Sequence, residues 1–236
     1  MAPPSLAAIH QPTFLPWLGL FDKVSRSSLF VFFDTVQYPR GKTWCSRVRI
    51  LVNGSPTWVT MPVVRNSAAD KRIDEVEMVD PDRHWRKILE RIRHAYARAP
   101  FVDDVFEFLQ ADSPAGYRTL ADFNVEFVRR VSSRLALAPS FVRASERDEL
   151  KRSTTKGTEA IVETCRVFGI VDYLSGDGTD EFLEPELFGE AGIRLQFQQF
   201  RHPTYPQLQT DGFHPGLSIV DALMNCGWQG TAELLR

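Results

Sequence analysis

Residues 5–34 read SLAAIHQPTFLPWLGLFDKVSRSSLFVFFD. "SLAAIH" is a short apolar run with the length of a buried strand. Pro16 to Ser28 carries Leu18, Phe21 and Val24 at helical spacing, with Pro16 tolerated in a first helical turn. "LFVFFD" (29–34) is apolar almost throughout, as suits a strand covered on both faces of a parallel sheet. Strand, helix and strand within about 30 residues make a βαβ unit. This unit places the chain in the α/β class.

Further along, "SRVRILVNGSPTWVTMPV" alternates around Asn53-Gly54 and predicts a β-hairpin. Val48, Ile50 and Val52 are expected on one face, and Arg47, Arg49 and Leu51 on the other. "RNSAADKR" (65–72) reads as an exposed, mobile loop, and "IDEVEMV" (73–79) as a strand. Helices are predicted at 82–97, with Trp85, Ile88, Leu89, Ile92 and Tyr96 on one stripe, from "FVDDVFEFLQ" onward, and at 116–136. Then "SFVRAS" reads as a strand and "ERDELKRSTTKGT" as a charged, solvated loop. "EAIVETCRVFG" is helical with Gly169 as C-cap, "IVDYLSG" and "IRLQFQQF" are strands, and Leu217 to Asn225 is a last short helix. The expected fold is one α/β domain over 1–236. Its Rossmann-like, mainly parallel sheet is flanked by helices, with a β-hairpin and a helical insertion near 82–136.

The 236 residues include 43% hydrophobic and 25% charged residues, ordinary for a globular chain. A net charge of -2 gives no global reason to bind nucleic acid or an anionic membrane. No apolar run reaches the ~18 residues of a membrane span. The start "MAPPSLAAIH" has no basic n-region, so no signal peptide is expected. Three scattered cysteines, Cys45, Cys165 and Cys226, suggest neither disulfides nor a zinc site, and a cytoplasmic setting is expected.

Three clusters carry candidate chemistry. His10 and Gln11 end the first strand, where parallel sheets bind ligands, and Asp34 ends the second. The plain alternative is that His10 and Gln11 only bond backbone at the turn. "DTVQYPRGKTWCSRVRI" offers Gln37, Arg40, Lys42, Arg47 and Arg49. Arg47 and Arg49 share a hairpin face and could grip one anion, or else form a solvated face. Tyr38 and Trp44 beside them could stack on a ring. "RHPTYPQLQTDGFHPGLSIVDALMNCG" places His202 and Tyr205 in a long loop before Ser218, Asp221 and Asn225. Ser218 is expected to N-cap the following helix. No GxGxxG, Walker A, HExxH or GxSxG motif is present, and "SGDGTDE" has acids that repel phosphate and lacks calcium-loop spacing.

With these residues in hand, the chain resembles the WbqC-like family. The resemblance rests on "HQPTFLPWLGLFDK", "DTVQYPRGKTW", "WVTMPV", "YLSG", "HPTYPQ" and "FHPGLSIVDALMNCG", in order from residue 9 to 227. One departure is Ser46, where the family pattern carries an asparagine. The resemblance implies an enzyme of surface-polysaccharide or specialised-metabolite biosynthesis. Its site candidates are His10, Gln11, Trp17, Asp34, Gln37, Arg40, Trp44, Arg47, His202, Tyr205, Asp221 and Asn225.

The expectation is a transferase forming an amide or ester on an amino-sugar or amino-acid-like acceptor. Its small-molecule substrate would be anionic or amine-bearing. His10 or His202 would be the base, with Tyr205 and Asp221 in catalytic support, and Arg47 and Arg49 would hold an anion. A thioester donor, including one on a carrier protein, would need no metal. An ATP-activated donor would set phosphates on the basic cluster, and the βα loop with a histidine is similar to that of nucleotidyl transferases without the second histidine of their HxGH loop. The cofactor stays open. Two other classes stand beside this one: a metal-dependent hydrolase or lyase using His10, Asp34, His202 and Asp221, and a non-catalytic sugar- or nucleotide-binding module.

Overall fold

The computed structural model describes residues 4–64, 71–179, 182–208 and 210–236. Most of the expected exposed loop at 65–72 lies outside them. The first βαβ unit forms as read: β1 (Ala7–His10), α1 (Leu18–Arg26) and β2 (Leu29–Phe32). The hairpin strands are β3 (Arg47–Val52) and β4 (Ser55–Thr60), joined at Asn53 (φ 49°) and Gly54 (φ 72°) as a type I′ turn requires. Leu51, expected beside the arginines on the open face, is buried, and its N–H donates to Tyr96 Oη at 3.0 Å.

Helices α2 (Pro81–Ala95), α3 (Val102–Gln110) and α4 (Leu120–Arg134) fill the middle of the chain. Next come β5 (Ser140–Arg143), the short α5 (Asp148–Arg152), α6 (Gly157–Phe168) and β6 (Asp172–Ser175). The chain closes with α7 (Pro185–Glu190), β7 (Arg194–Phe197) and α8 (Ile219–Glu233).

Five strands form one parallel sheet in the order β5-β2-β1-β6-β7, and the hairpin stands apart from it. The period-2 alternation of the strands explains its two covered faces. Ala8, Phe30, Phe32 and Leu174 face a core shared with α1, the hairpin, α2–α4 and α8. Ala7, Ile9, Val31 and Tyr173 face the core under α6 and α7.

Three expectations are corrected. Residues 73–75 form a 3-10 turn, and only the bridge Val63–Met78 gives "IDEVEMV" any strand pairing. The last helix runs on to Glu233 through a kink at Gly227, because Trp228 and Leu235 find apolar packing beyond it. "ERDELKRSTTKGT" is mostly exposed, as expected, but it is not all loop: it holds α5 and the approach to α6, with Leu150 and Thr158 buried. No helix among the described residues is long and apolar enough to cross a membrane.

Candidate functional site

The chain lays β2 and β5 to one side of β1, then returns to lay β6 and β7 on the other. This reversal makes a switch point between β1 and β6, where loops at the carboxyl ends diverge and leave a crevice. A cleft of about 1020 Å³ lies there. His10 and Gln11 enter it from β1, Gly176 and Asp177 from β6, and Lys23 from α1. Trp44 and Cys45 close one side, and Lys156 to Thr158, opening α6, close another.

His10 is half-buried, and its Nδ1 sits 2.7 Å from the Gln11 carbonyl oxygen. A carbonyl only accepts, so Nδ1–H is the donor and Nε2 keeps its lone pair. Burial, then the charge of Lys23, push the His10 pKa down to about 3, against the opposing pull of the Gln11 carbonyl. The ring is therefore neutral at pH 7.

Lys23 was missed in the sequence. It sits on the buried stripe of α1 and is only 3% exposed. Burial pushes its pKa down to about 8, while Asp177 and Asp22 pull it up through space. Both acids are engaged elsewhere. Asp177 accepts from the backbone N–H groups of Gln199 and Phe200, and Asp22 from Gln198 Nε2 at 2.6 Å. Among the described residues the Lys23 ammonium makes no hydrogen bond or salt bridge of its own. The signal available in the sequence was a lysine beside Val24 and three positions past Leu20, on the apolar stripe of the helix that follows a histidine-bearing strand end.

The other candidates fall into separate places. Gln37, Trp17 and Trp44 line the cleft, and Trp44 is 44% exposed. Trp17 lies against Gly19, where a Cβ would come within 2.4 Å of the indole, so only glycine permits that approach. Arg40 is exposed outside the cleft. Arg47 stacks over the Trp58 ring at 3.6 Å, and Arg49 lies 5.7 Å from the same ring. They share a face as the alternation requires, but that face is outside the cleft. Asp34 is fully buried and accepts from Arg143 Nε at 2.6 Å and from the N–H and hydroxyl of Ser145. Ser46 is buried in the turn entering β3 and does not line the cleft.

His202, Tyr205 and Asp221 form a second cluster. Asp221 is fully buried and accepts from Tyr96 and Tyr205 hydroxyls at 2.8 Å each and from Gln207 Nε2 at 2.9 Å. Burial raises its pKa against these three donors. Asn225 donates to the Asp221 carbonyl at 2.7 Å. Ser218 caps α8, as expected, and its hydroxyl donates to the Leu15 carbonyl. His202 lies among Trp17, Phe200, Tyr205 and Phe213 rings, with burial lowering its pKa. The cluster meets the cleft through Trp17, whose ring stacks on His202 at 6.2 Å.

Among the described residues no three His, Cys, Asp or Glu side chains gather to hold a metal ion. His10, Asp34, His202 and Asp221 do not converge, because Asp34 and Asp221 spend their oxygens on Arg143, Ser145 and the tyrosines. Among the described residues these four side chains therefore form no metal site. Cys45 lines the cleft, but burial pushes its thiol up to about 11, and Cys165 is pushed to about 12, so neither is a thiolate at neutral pH.

An uncharacterised protein of Mycobacterium tuberculosis is 26% identical over 225 residues, covering 93% of each chain. No solved structure matches the chain. The WbqC-like protein family matches residues 11–233, nearly the whole length, in agreement with the motifs from "HQPTFLPW" to "FHPGLSIVDALMNCG". The chain belongs to the WbqC-like protein family.

Proposed function

We propose that the cleft is the active site of a transferase that joins an acyl group to an amine- or hydroxyl-bearing small molecule, forming an amide or ester. The acceptor is an amino sugar or amino-acid-like compound of surface-polysaccharide or specialised-metabolite biosynthesis. What supports this reading is a neutral His10 with a free Nε2 beside a buried ammonium, Lys23, in one crevice at the switch point. Nε2 takes the proton that the acceptor loses as the new bond forms, and returns it to the departing group. Lys23 holds negative charge on the donor. Neutralising Lys23 in that way removes one of the two causes of the low His10 pKa, so donor binding strengthens the base. His202, Tyr205 and Asp221 act from behind, by fixing Trp17 at the edge of the cleft.

The test pairs acyl thioesters, or carboxylic acids with ATP, against amino-sugar and amino-acid acceptors, and reads amide or ester product by mass spectrometry. His10→Gln should lower turnover by at least ~100-fold, the usual worth of a positioned base. Unchanged turnover in that variant would remove His10 from the chemistry. Tight binding of a ligand that no pairing converts would favour the binding-module reading instead.

A further inference from the structure

The first turn of α6 lines the same cleft as Lys23. The first backbone N–H groups of a helix have no carbonyl partner within it, and they carry the positive end of its dipole. Side chains commonly cap them, but here Lys156 occupies the N-cap position with no side-chain cap hydrogen bond. Gly157 follows at φ 56°, a backbone conformation that glycine alone adopts without strain, and a Cβ there would meet nothing within 4 Å. The backbone is thus bare where it faces the crevice. The Thr158 hydroxyl oxygen accepts from the Glu184 N–H. Glu163, one of the acids in the cleft lining, is occupied by the hydroxyls of Ser153 and Thr155, which also fixes the approach to α6.

Lys23 is the independent observation. Its ammonium is buried without a bonding partner among the described residues and lies 3.1 Å from the place a Gly176 Cβ would take. Gly176 is itself part of the cleft lining. A lysine whose stem is buried and whose ammonium is left unpaired at a cleft is held ready for an anion from outside the chain. The cleft also exposes two aromatic rings, Trp44 at 44% and Phe182 at 76%. Exposed rings at the mouth of a cleft are stacking platforms for a flat ligand group.

We infer that the cleft binds a diphosphate joined to a flat ring. The α6 amides, Lys156 and Lys23 take the phosphates, and Trp44 and Phe182 take the ring. A volume of about 1020 Å³ accommodates a molecule of that size. This deepens the transferase reading by giving its donor a chemical class, an adenosine diphosphate moiety. Two sources share that chemistry: an adenine nucleotide, or coenzyme A carrying the acyl group as a thioester.

The experiment is calorimetric titration of the full chain with ADP, coenzyme A and inorganic pyrophosphate, beside three variants. Lys156→Glu replaces an exposed cation with an acid at the start of a helix, where an acid favours folding and repels phosphate. It should weaken ADP and coenzyme A by about tenfold or more. Lys23→Met should weaken both by roughly ten- to a hundredfold, the worth of a charge-assisted hydrogen bond. Phe182→Ala should weaken ADP and leave pyrophosphate unaffected, since pyrophosphate has no ring. Tighter ADP assigns the nucleotide and tighter coenzyme A the thioester. Binding of neither, or binding indifferent to both lysine variants, overturns the anion subsite. Binding is read without turnover, so that result leaves His10 to its own test, and binding with an inert His10 overturns the base alone.

Discussion

Replacing Lys23 with methionine should make the protein more stable. The side chain is 3% exposed, and its pKa falls from 10.5 to about 8 on folding. At roughly 1.4 kcal/mol per pH unit, holding the charged amine in the folded state costs about 3 kcal/mol. The figure already includes the favourable pull of Asp177 and Asp22. Between about pH 8 and 10.5 the unfolded chain keeps a proton that the folded chain has shed. Stability therefore rises with pH across that window, and below pH 8 the whole cost stands. Methionine has a similar length and no charge. Lys23→Met should gain up to about 3 kcal/mol at pH 7, a rise of about 6–12 °C in melting temperature for a chain of this size. At pH 10 the advantage should shrink to about 1 kcal/mol, since the wild-type amine is by then mostly neutral. Urea unfolding of both proteins at pH 7 and pH 10 measures the two gaps. A variant that loses stability at pH 7 would show Lys23 to be a structural ion-pair member. A gain of equal size at both pH values would show that charge burial is not its origin.

The acid side has the same proton balance: the unfolded chain again binds a proton that the folded chain lacks. His10 is depressed from 6.5 to about 3, so its contribution to stability is lost as pH falls through that range, and His10→Gln should lose less than wild type between pH 7 and pH 4 in urea midpoints. Parallel acid limbs in the two proteins would show that His10 titrates normally. Asp221→Ala strands the buried donors of Tyr96, Tyr205 and Gln207, and should cost about 3 kcal/mol or more in a thermal melt. A loss under about 1 kcal/mol would mean that water replaces the carboxylate. Gly19→Ala drives a methyl into the Trp17 indole, and should cost about 1–3 kcal/mol and shift Trp17 fluorescence. Cys45 should resist iodoacetamide at pH 7 in the native protein and react in urea, because burial holds its thiol at about 11. Fast native labelling would restore it as a nucleophile.

The sheet was legible because its strands are short apolar runs whose alternate residues must be covered twice: Ala7, Ile9 and Val31 on one side, Ala8, Phe30 and Phe32 on the other. The position of His10 followed, since the ligand crevice of an open parallel sheet lies outside the carboxyl ends of its strands. Lys23 was hidden by the same periodicity. On an amphipathic helix a charge is read as part of the wet face, and nothing local says that this stripe ends in a cleft rather than the core. "STTKGT" reads as solvated because its side chains are small or polar, and most of it is exposed, yet the stretch also lines the crevice where α6 begins, which no composition reveals. Asp34 and Asp221 were drawn toward the site by their positions. Their partners, Arg143 and Tyr96, stand 109 and 125 residues away, and pairing across such distances leaves no mark on either neighbourhood.

Asn124, buried in the middle of α4, donates to the Cys45 carbonyl at 2.8 Å and to the Pro12 carbonyl at 3.3 Å. One amide thus clasps the two strips of backbone that carry Gln11 and Cys45 into the cleft, from a helix that never touches it. The helical insertion is in this respect a caliper: its seating sets the gap between those strips. Substitutions along α4 would then reach selection as altered substrate preference, and a lineage could retune which acceptor fits by repacking a helix far from any reacting atom.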